Sequence, residues 1–280
     1  MDERTRGAVE AWADCAVTDT IELDGGEIGS VYRVALTDGR RVVVKTAGTD
    51  LRIEAGMLRY LDDHGLATPE VHHVTEDLLV LAFVEGESTV TPAVERDLAD
   101  RLAALHTTEE PTFGFPFDTL TGKFDLPNPR TGDWPTFFGQ HRLGYMAYHA
   151  AEEGVLPADC ADRVDALVDD LPALLDHDPT PSLIHGDVWA ENLLTDGEAV
   201  RAFLDPACYY ADPEVELAYV HWTGVGGDAF FERYHEQAGL PGGVAERQPI
   251  YRLLPLLVHL RHFGEEYLDP IRETLAELGY

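Results

Sequence analysis

At 280 residues and 45% hydrophobic content, the chain is long enough to bury a substantial core, as one large domain or a two-lobed unit. Its 52 acidic and 20 basic residues set a formal charge of -32, spread along the whole chain, which points to an acidic surface on a folded protein and excludes disorder. Such a surface makes nucleic acid and anionic membranes poor partners. Only Lys45 and Lys123 are lysines, and so lopsided a balance suits a salt-rich cytoplasm, where about 1 M salt shortens the Debye length to about 3 Å. Cys15, Cys160 and Cys208 are odd in number and far apart, so neither a disulfide framework nor a CxxC metal site is expected. The N-terminus carries no apolar signal core, and no run approaches the ~18 apolar residues of a membrane span, which predicts a soluble, cytoplasmic protein.

Val9, Trp12, Ala13 and Ala16 recur at helical spacing and predict a short amphipathic helix over 2–17. A β-rich stretch follows: Ile28 to Leu36 and Arg41 to Thr46 flank the turn Thr37-Asp38-Gly39, a hairpin signature that puts Lys45 on a strand. From Asp50 the apolar period becomes helical, with Ile53, Met57, Leu58 and Leu61 on one side, Gly65 as a cap, and Glu54 on the same helix. Val71 to Val74 and Leu78 to Val84 are expected strands, and the composition shift at Glu85-Gly86 suggests a hinge that divides 1–85 from 86–280. Thr91 and Pro92 open a helix that runs to His106. A Pro/Gly-rich loop over about 111–135 precedes helices at about 135–153, 157–176, 213–223, 227–238, 245–263 and 270–278. The fold class is α+β: a small N-terminal antiparallel sheet with one helix, then a larger helical part.

Phosphoryl transfer asks for an acceptor-positioning carboxylate, ligands for Mg²⁺ and a cation on the phosphates. Asp187 ends an apolar strand-like run after His185-Gly186, where a carboxylate can face a cleft and accept a hydroxyl proton. Asn192 follows five residues later, and Asp205 ends the strand Val200 to Leu204 before Pro206, as suits a carboxylate offered to a hard cation. The short Asp196-Gly197 turn brings both ends of this hairpin to one edge. A lysine kept within Val42-Val43-Val44-Lys45 of so lysine-poor a chain is the candidate phosphate contact, with Glu54 holding its ammonium. Gly25, Gly26 and Gly29 could let a loop close over phosphates, although that segment matches neither a P-loop nor a dinucleotide-binding turn. Trp189 is placed to line an acceptor pocket. His185 is expected to be a structural hydrogen-bonding group, Cys208 a small buried thiol, Phe137, Phe138, Tyr145 and Tyr148 core or pocket lining, and Trp222 core.

These residues resemble the fructosamine kinase (ketosamine 3-kinase) family, related to aminoglycoside and choline kinases that share the protein-kinase fold. The resemblance covers nearly the whole chain, most specifically through His185-Gly-Asp-Val-Trp-Ala-Glu-Asn192, Asp205-Pro-Ala-Cys-Tyr-Tyr210, Asp133-Trp-Pro-Thr-Phe-Phe138 with Arg142-Leu143, and His259-Leu-Arg-His-Phe-Gly264. It implies a two-lobed fold and ATP- and Mg²⁺-dependent phosphorylation of the 3-hydroxyl of a ketosamine, a repair of glycation. It further implies Asp187 as base, Asn192 and Asp205 as Mg²⁺ ligands, Lys45 on the phosphates with Glu54 as its partner, and backbone groups of Ala82, Phe83 and Val84 for adenine. Glu216 would brace the catalytic loop, and Trp189 would face the sugar. The alternatives are a kinase of another alcohol, such as an aminoglycoside, choline or a sugar, and a nucleotide-binding regulator without turnover. The sequence indicates no oligomeric state.

Overall fold

The computed structural model describes residues 1–23 and 29–280. Asp2 caps helix α1 (Glu3–Ala13) by accepting the Thr5 N–H at 2.7 Å, and Asp14, left-handed at φ 54°, ends it. The helix stops before residue 17 because Val17 opens β1 (Val17–Leu23). That strand escapes the sequence pattern because it lies at the sheet's edge and most of its side chains are exposed, with only Val17 buried. Strands β2 (Gly29–Leu36), β3 (Arg41–Ala47), β4 (Val71–Val74) and β5 (Leu79–Ala82) complete a 5-stranded antiparallel sheet in the order β1-β2-β3-β5-β4.

The two-residue period of β3 sends Val42 and Val44 to one face, against Val9 and Ala13 of α1. Val43 and Lys45 take the other face, toward helix α2 (Leu51–Asp63). This helix serves both parts of the molecule. Leu51, Ala55 and Leu58 pack on Leu79 and Leu81 of the sheet, while Met57 and Leu61 join the main core of the C-terminal part. The hydroxyls of Tyr60 and Tyr210 also meet at 2.9 Å, so α2 is tied to the larger part by a polar contact as well.

Thr91 caps α3 (Pro92–Leu105) through its Oγ1 and the Val94 N–H. The expected loop contains a hairpin, β6 (Thr119–Thr121) and β7 (Phe124–Leu126), too short to give a periodic signal. One continuous helix was expected over 135–153. Instead α4 (Trp134–Phe138) and α5 (Gly144–Glu152) flank a π-helical turn at Gly139–Leu143, and Arg142 sits in that turn, fully buried. Phe137 and Phe138 are in the core, whereas Tyr148 is 61% exposed. Helices α6 (Ala158–Leu174), α7 (Glu214–Thr223), α8 (Asp228–Ala238), α9 (Val244–Phe263) and α10 (Leu268–Glu277) complete the helical part.

Two small strand pairs carry the segments of interest. β9 (Leu193–Thr195) and β10 (Val200–Phe203) form the expected hairpin, and β8 (Ser182–Ile184) pairs with β11 (Tyr209–Ala211). Gly86 lies so close to Leu194 and Thr195 that an added Cβ would stand 2.9 Å from the Leu194 side chain. Its neighbour Glu87 exchanges both backbone hydrogen bonds with Thr195, at 2.9 and 2.8 Å. The expected hinge is thus fastened to the β9–β10 hairpin.

Among the described residues no helix is long and apolar enough to cross a membrane. The buried acids among them are Glu54, Asp212, Glu214 and Glu216, which leaves the rest of the acidic excess at or near the surface. Repulsion there is screened by salt. We therefore expect the thermal midpoint, followed by circular dichroism, to fall as KCl is lowered from about 1 M to about 0.05 M; an unchanged midpoint and full activity in dilute buffer would count against adaptation to salt.

Candidate active site

Lys45 projects from β3 across the sheet face to α2, where its Nζ meets both Glu54 oxygens, at 3.0 and 2.9 Å. The same ammonium lies 2.5 Å from Asp205 Oδ1. One cation is therefore shared by two carboxylates that come from α2 and from the end of β10. Burial alone would lower the Lys45 pKa, but the charges of Asp205 and then Glu54 outweigh it and push it up. Burial raises Glu54, with Lys45 opposing and Asp205 adding to the rise, while Lys45 overcomes the burial of Asp205 and holds that carboxyl low. Asp205 has the left-handed φ of 48°, which Asp tolerates better than most residues, and its side chain remains 47% exposed toward the cleft.

Asp187 stands on the loop after β8. Gly186 just before it has φ +85°, and a Cβ there would come 2.3 Å from the Ala207 carbonyl oxygen, so the loop needs glycine on both counts. The loop is held from below by Glu216 of α7, whose side chain is inaccessible to solvent. Glu216 accepts the Gly186 N–H at 2.7 Å, the His185 N–H at 3.2 Å, and a bond from His106 Nε2 at 2.9 Å. Burial opposes ionisation of Glu216, but the His106 contact and the Gly186 N–H prevail and hold its carboxyl below the usual range. His185 is buried, which lowers its pKa, and its Nδ1 accepts the Asp187 N–H at 3.2 Å, as a structural histidine would.

Asn192 donates from Nδ2 to the Asp187 backbone oxygen and to Oδ2, both at 2.9 Å. With the amide nitrogen so engaged, its oxygen is the atom left to meet a cation. The backbone carbonyl of Asn192 also accepts the Leu204 N–H at 2.9 Å, which ties it to the strand that carries Asp205. The carboxylate of Asp205 and the amide oxygen of Asn192 are hard donors of the kind Mg²⁺ takes, and Lys45 beside them could meet phosphate oxygens, so this donor set fits a Mg²⁺–nucleotide complex.

Three adjoining cavities surround these groups. A cavity of about 630 Å³ runs under the sheet between Val31, Leu81, Ala82, Phe83 and Val84 and reaches Lys45 and Asp205. A second, of about 170 Å³, is bounded by Lys45, Glu54, Asp187, Asn192 and Asp205. The third, of about 370 Å³, opens on the other side of Asp187 toward α7 and α9. Trp189 lines all three, and Asp187 lines the second and the third.

The structure thus gathers Asp187, Asn192, Asp205, Lys45, Glu54 and Trp189 into one cleft, with Ala82, Phe83 and Val84 along its far wall. Ala82 has its N–H bonded to the Glu70 carbonyl at 2.8 Å, so as a donor to a ligand it is already occupied. Gly25 and Gly26 lie outside the described residues. Cys208 is buried, which pushes its thiol up and suits an inert packing role.

Sequence reasoning passed over Tyr219, whose hydroxyl donates to Asp187 Oδ1 at 2.5 Å. A signal was available: Glu216, Tyr219 and Trp222 follow at intervals of three on α7, a spacing that shares a helix face. Trp222, expected in the core, packs against it and also lines the third cavity. Arg142 lines the same cavity, stacked 3.9 Å from the Tyr209 ring centroid and bonded to the Pro127 carbonyl and Asn128 Oδ1.

A small antiparallel sheet with one ion-paired helix, joined to a helical part that carries an acidic loop and a metal-fit hairpin, defines a phosphotransferase of the protein-kinase-like fold. Residues 6–279 match the family model for fructosamine kinase, and the chain belongs to that family. It is similar to the probable ketoamine kinase YniA of Escherichia coli, at 34% identity over 268 residues, 92% of this chain and 91% of the relative. A probable ketoamine kinase of Vibrio vulnificus is 30% identical over 277 residues, 94% of this chain and 93% of that one. Among solved structures, a candidate fructosamine-3-kinase from Thermobifida fusca superposes with a TM-score of 0.87 at 27% identity, covering 99% of this chain and 98% of the other. An aminoglycoside phosphotransferase solved with gentamicin shares the fold, with a TM-score of 0.68 at 14% identity over 99% and 96% of the two chains. The chain is accordingly an ATP-dependent phosphotransferase.

Replacing Glu216 by alanine leaves the buried N–H groups of His185 and Gly186 without their acceptor. We expect a stability loss of about 3 kcal/mol, read from urea unfolding, with turnover falling in the folded fraction. A loss below about 0.5 kcal/mol would show that Glu216 does not hold the loop.

Proposed function

We propose that the chain transfers the terminal phosphoryl group of ATP to the 3-hydroxyl of a ketosamine, the sugar adduct that glycation leaves on an amine. The observation that carries this reading is the situation of Asp187 on the border of two cavities, so that a hydroxyl on one side faces a phosphoryl group on the other. In this reading Asp187 takes the hydroxyl proton and aligns the oxygen for attack. Lys45, steadied by Glu54, contacts the phosphates, and Asp205 and Asn192 hold Mg²⁺. ATP with Mg²⁺ supplies the phosphoryl group and offsets its charge. Backbone groups of Phe83 and Val84, with the Ala82 carbonyl, take the adenine, and Trp189 forms the wall against the sugar. Residues 1–85 and 86–280 act as lobes joined at Glu85-Gly86. A phosphate beside the keto carbon makes the adduct unstable, and loss of the sugar returns the free amine, a repair that would operate in a salt-rich cytoplasm.

The names of the relatives support a ketoamine acceptor. The acceptor cavity supports it too. A polyamine such as an aminoglycoside needs carboxylates to receive it, yet the acids lining this cavity among the described residues are Asp187 and the fully engaged Glu216.

Asp187→Ala is expected to lower kcat on the order of 10³-fold while nucleotide affinity, measured calorimetrically, is retained. Turnover like that of the unmodified enzyme would remove Asp187 from its role. With Mg²⁺ at high KCl, ATP should be consumed with ribulose-, erythrulose- or fructose-amine adducts; inertness toward all of them, alongside rapid phosphorylation of a plain alcohol, would overturn the ketosamine reading.

A further inference from the structure

We infer that the half of the acceptor cavity farthest from Asp187 is a subsite for the substituent on the substrate's amine, and that it takes an aromatic or aliphatic group and rejects a second cation. The inference rests on the ketosamine reading. With a sugar hydroxyl at Asp187, the ammonium of the adduct lies a few bonds away, near that carboxylate, and whatever the nitrogen bears must run on into the rest of the cavity.

That remainder is built of rings. Trp222 of α7 stands edge-on to His259 of α9, with centroids 4.9 Å apart and planes at 80°. Phe263 and Tyr267 lie 5.3 and 5.1 Å from the same imidazole and 5.9 Å from each other. Phe263 is 43% exposed, while Trp222 and Tyr267 are half-buried, so part of this ring surface is open to a ligand. On α9, Leu254, Pro255, Val258, His259, His262 and Phe263 supply the lining at intervals of three and four, which is one face of the helix.

Among the described residues, none that lines this half carries a carboxylate. In a chain with 52 acids, the carboxylates that line the cavity among the described residues are Asp187 and Glu216, both at the transfer end. Arg142 is a buried cation whose hydrogen bonds go to neutral oxygens, those of Pro127, His141 and Asn128. Burial lowers the pKa of His259, and burial followed by Lys123 takes His262 down to about 4, so both imidazoles are uncharged at neutral pH. Lys123, one of the two lysines, lies over the Phe124 ring that packs on His262, and the carboxylate of Glu153 there is already paired with Arg261. A second ammonium entering here would lose water and gain no carboxylate, whereas a phenyl or alkyl group would bury apolar surface against the rings.

The test compares ribulose adducts of benzylamine, butylamine and 1,4-diaminobutane, the last singly glycated so that it keeps a free ammonium. The benzyl adduct is expected to show kcat/KM at least about tenfold above the aminobutyl adduct, with butyl between them. Trp222→Ala should raise KM for the benzyl adduct about tenfold, and Trp222→Phe should recover most of that loss. Phe263→Glu, at a position 43% exposed, should reverse the order by giving the aminobutyl ammonium a partner. Equal kcat/KM for all three adducts, or a preference for the aminobutyl adduct in the unmodified enzyme, would overturn the subsite and leave the ketosamine reading intact. Phosphorylation of none of them would overturn both.

Discussion

The ammonium of Lys45 is the point on which the architecture of the cleft depends. It draws together a sheet strand, helix α2 and the end of the β9–β10 hairpin, because it pairs at once with the buried Glu54 and with Asp205. A buried carboxylate without a cation would be costly to keep ionised, and a lysine on that sheet face without a carboxylate would be equally so. Mutual need therefore fixes the position of α2 against the sheet. Apolar contacts reinforce it from the other side, since Met57 and Leu61 of α2 sit in the core of the larger part. The ion pair in the cleft thus involves a helix already anchored to both halves of the molecule.

The acidic loop has a separate support. Glu216 reaches it from α7 and satisfies two successive backbone N–H groups, and His106 of α3's C-terminal cap holds Glu216 in turn while bonding Tyr234 of α8. Asp187 is therefore oriented by a chain of buried hydrogen bonds that crosses the helical part. Tyr219 and Asn192 then occupy its two oxygens from opposite sides. The result is a carboxylate whose position is set before any ligand arrives, which is the arrangement that favours transfer by positioning.

The distribution of charge separates outside from inside. Acids cover the surface, yet beyond Asp187 and Glu216 the cavity toward α7 and α9 is walled by rings, neutral imidazoles and the buried Arg142. Net charge is a property of solubility and medium, whereas the character of the cavity is a property of the few side chains that α7, α9 and the π-turn direct inward. The two can diverge because the surface meets solvent while the cavity meets a ligand.

The sequence by itself determined the parts whose signal is local. The alternation of β3 put Lys45 on a strand, the helical period placed Glu54, the Thr91-Pro92 pair opened α3, and the spacing of Asp187, Asn192 and Asp205 marked the metal-fit hairpin. It could not show β1, because an edge strand needs only one apolar face residue, nor the β6–β7 hairpin, which is too short for periodicity, nor the π-turn, whose hydrogen-bond shift leaves no pattern. Tyr219, Trp222 and Arg142 belong to elements legible one at a time, but their common destination was not. Only the tertiary structure brought α7, α9 and the Arg142 turn to one side of Asp187, because which faces of these helices meet is decided by packing across segments more than 100 residues apart, such as Trp134 and Tyr251 or His106 and Glu216.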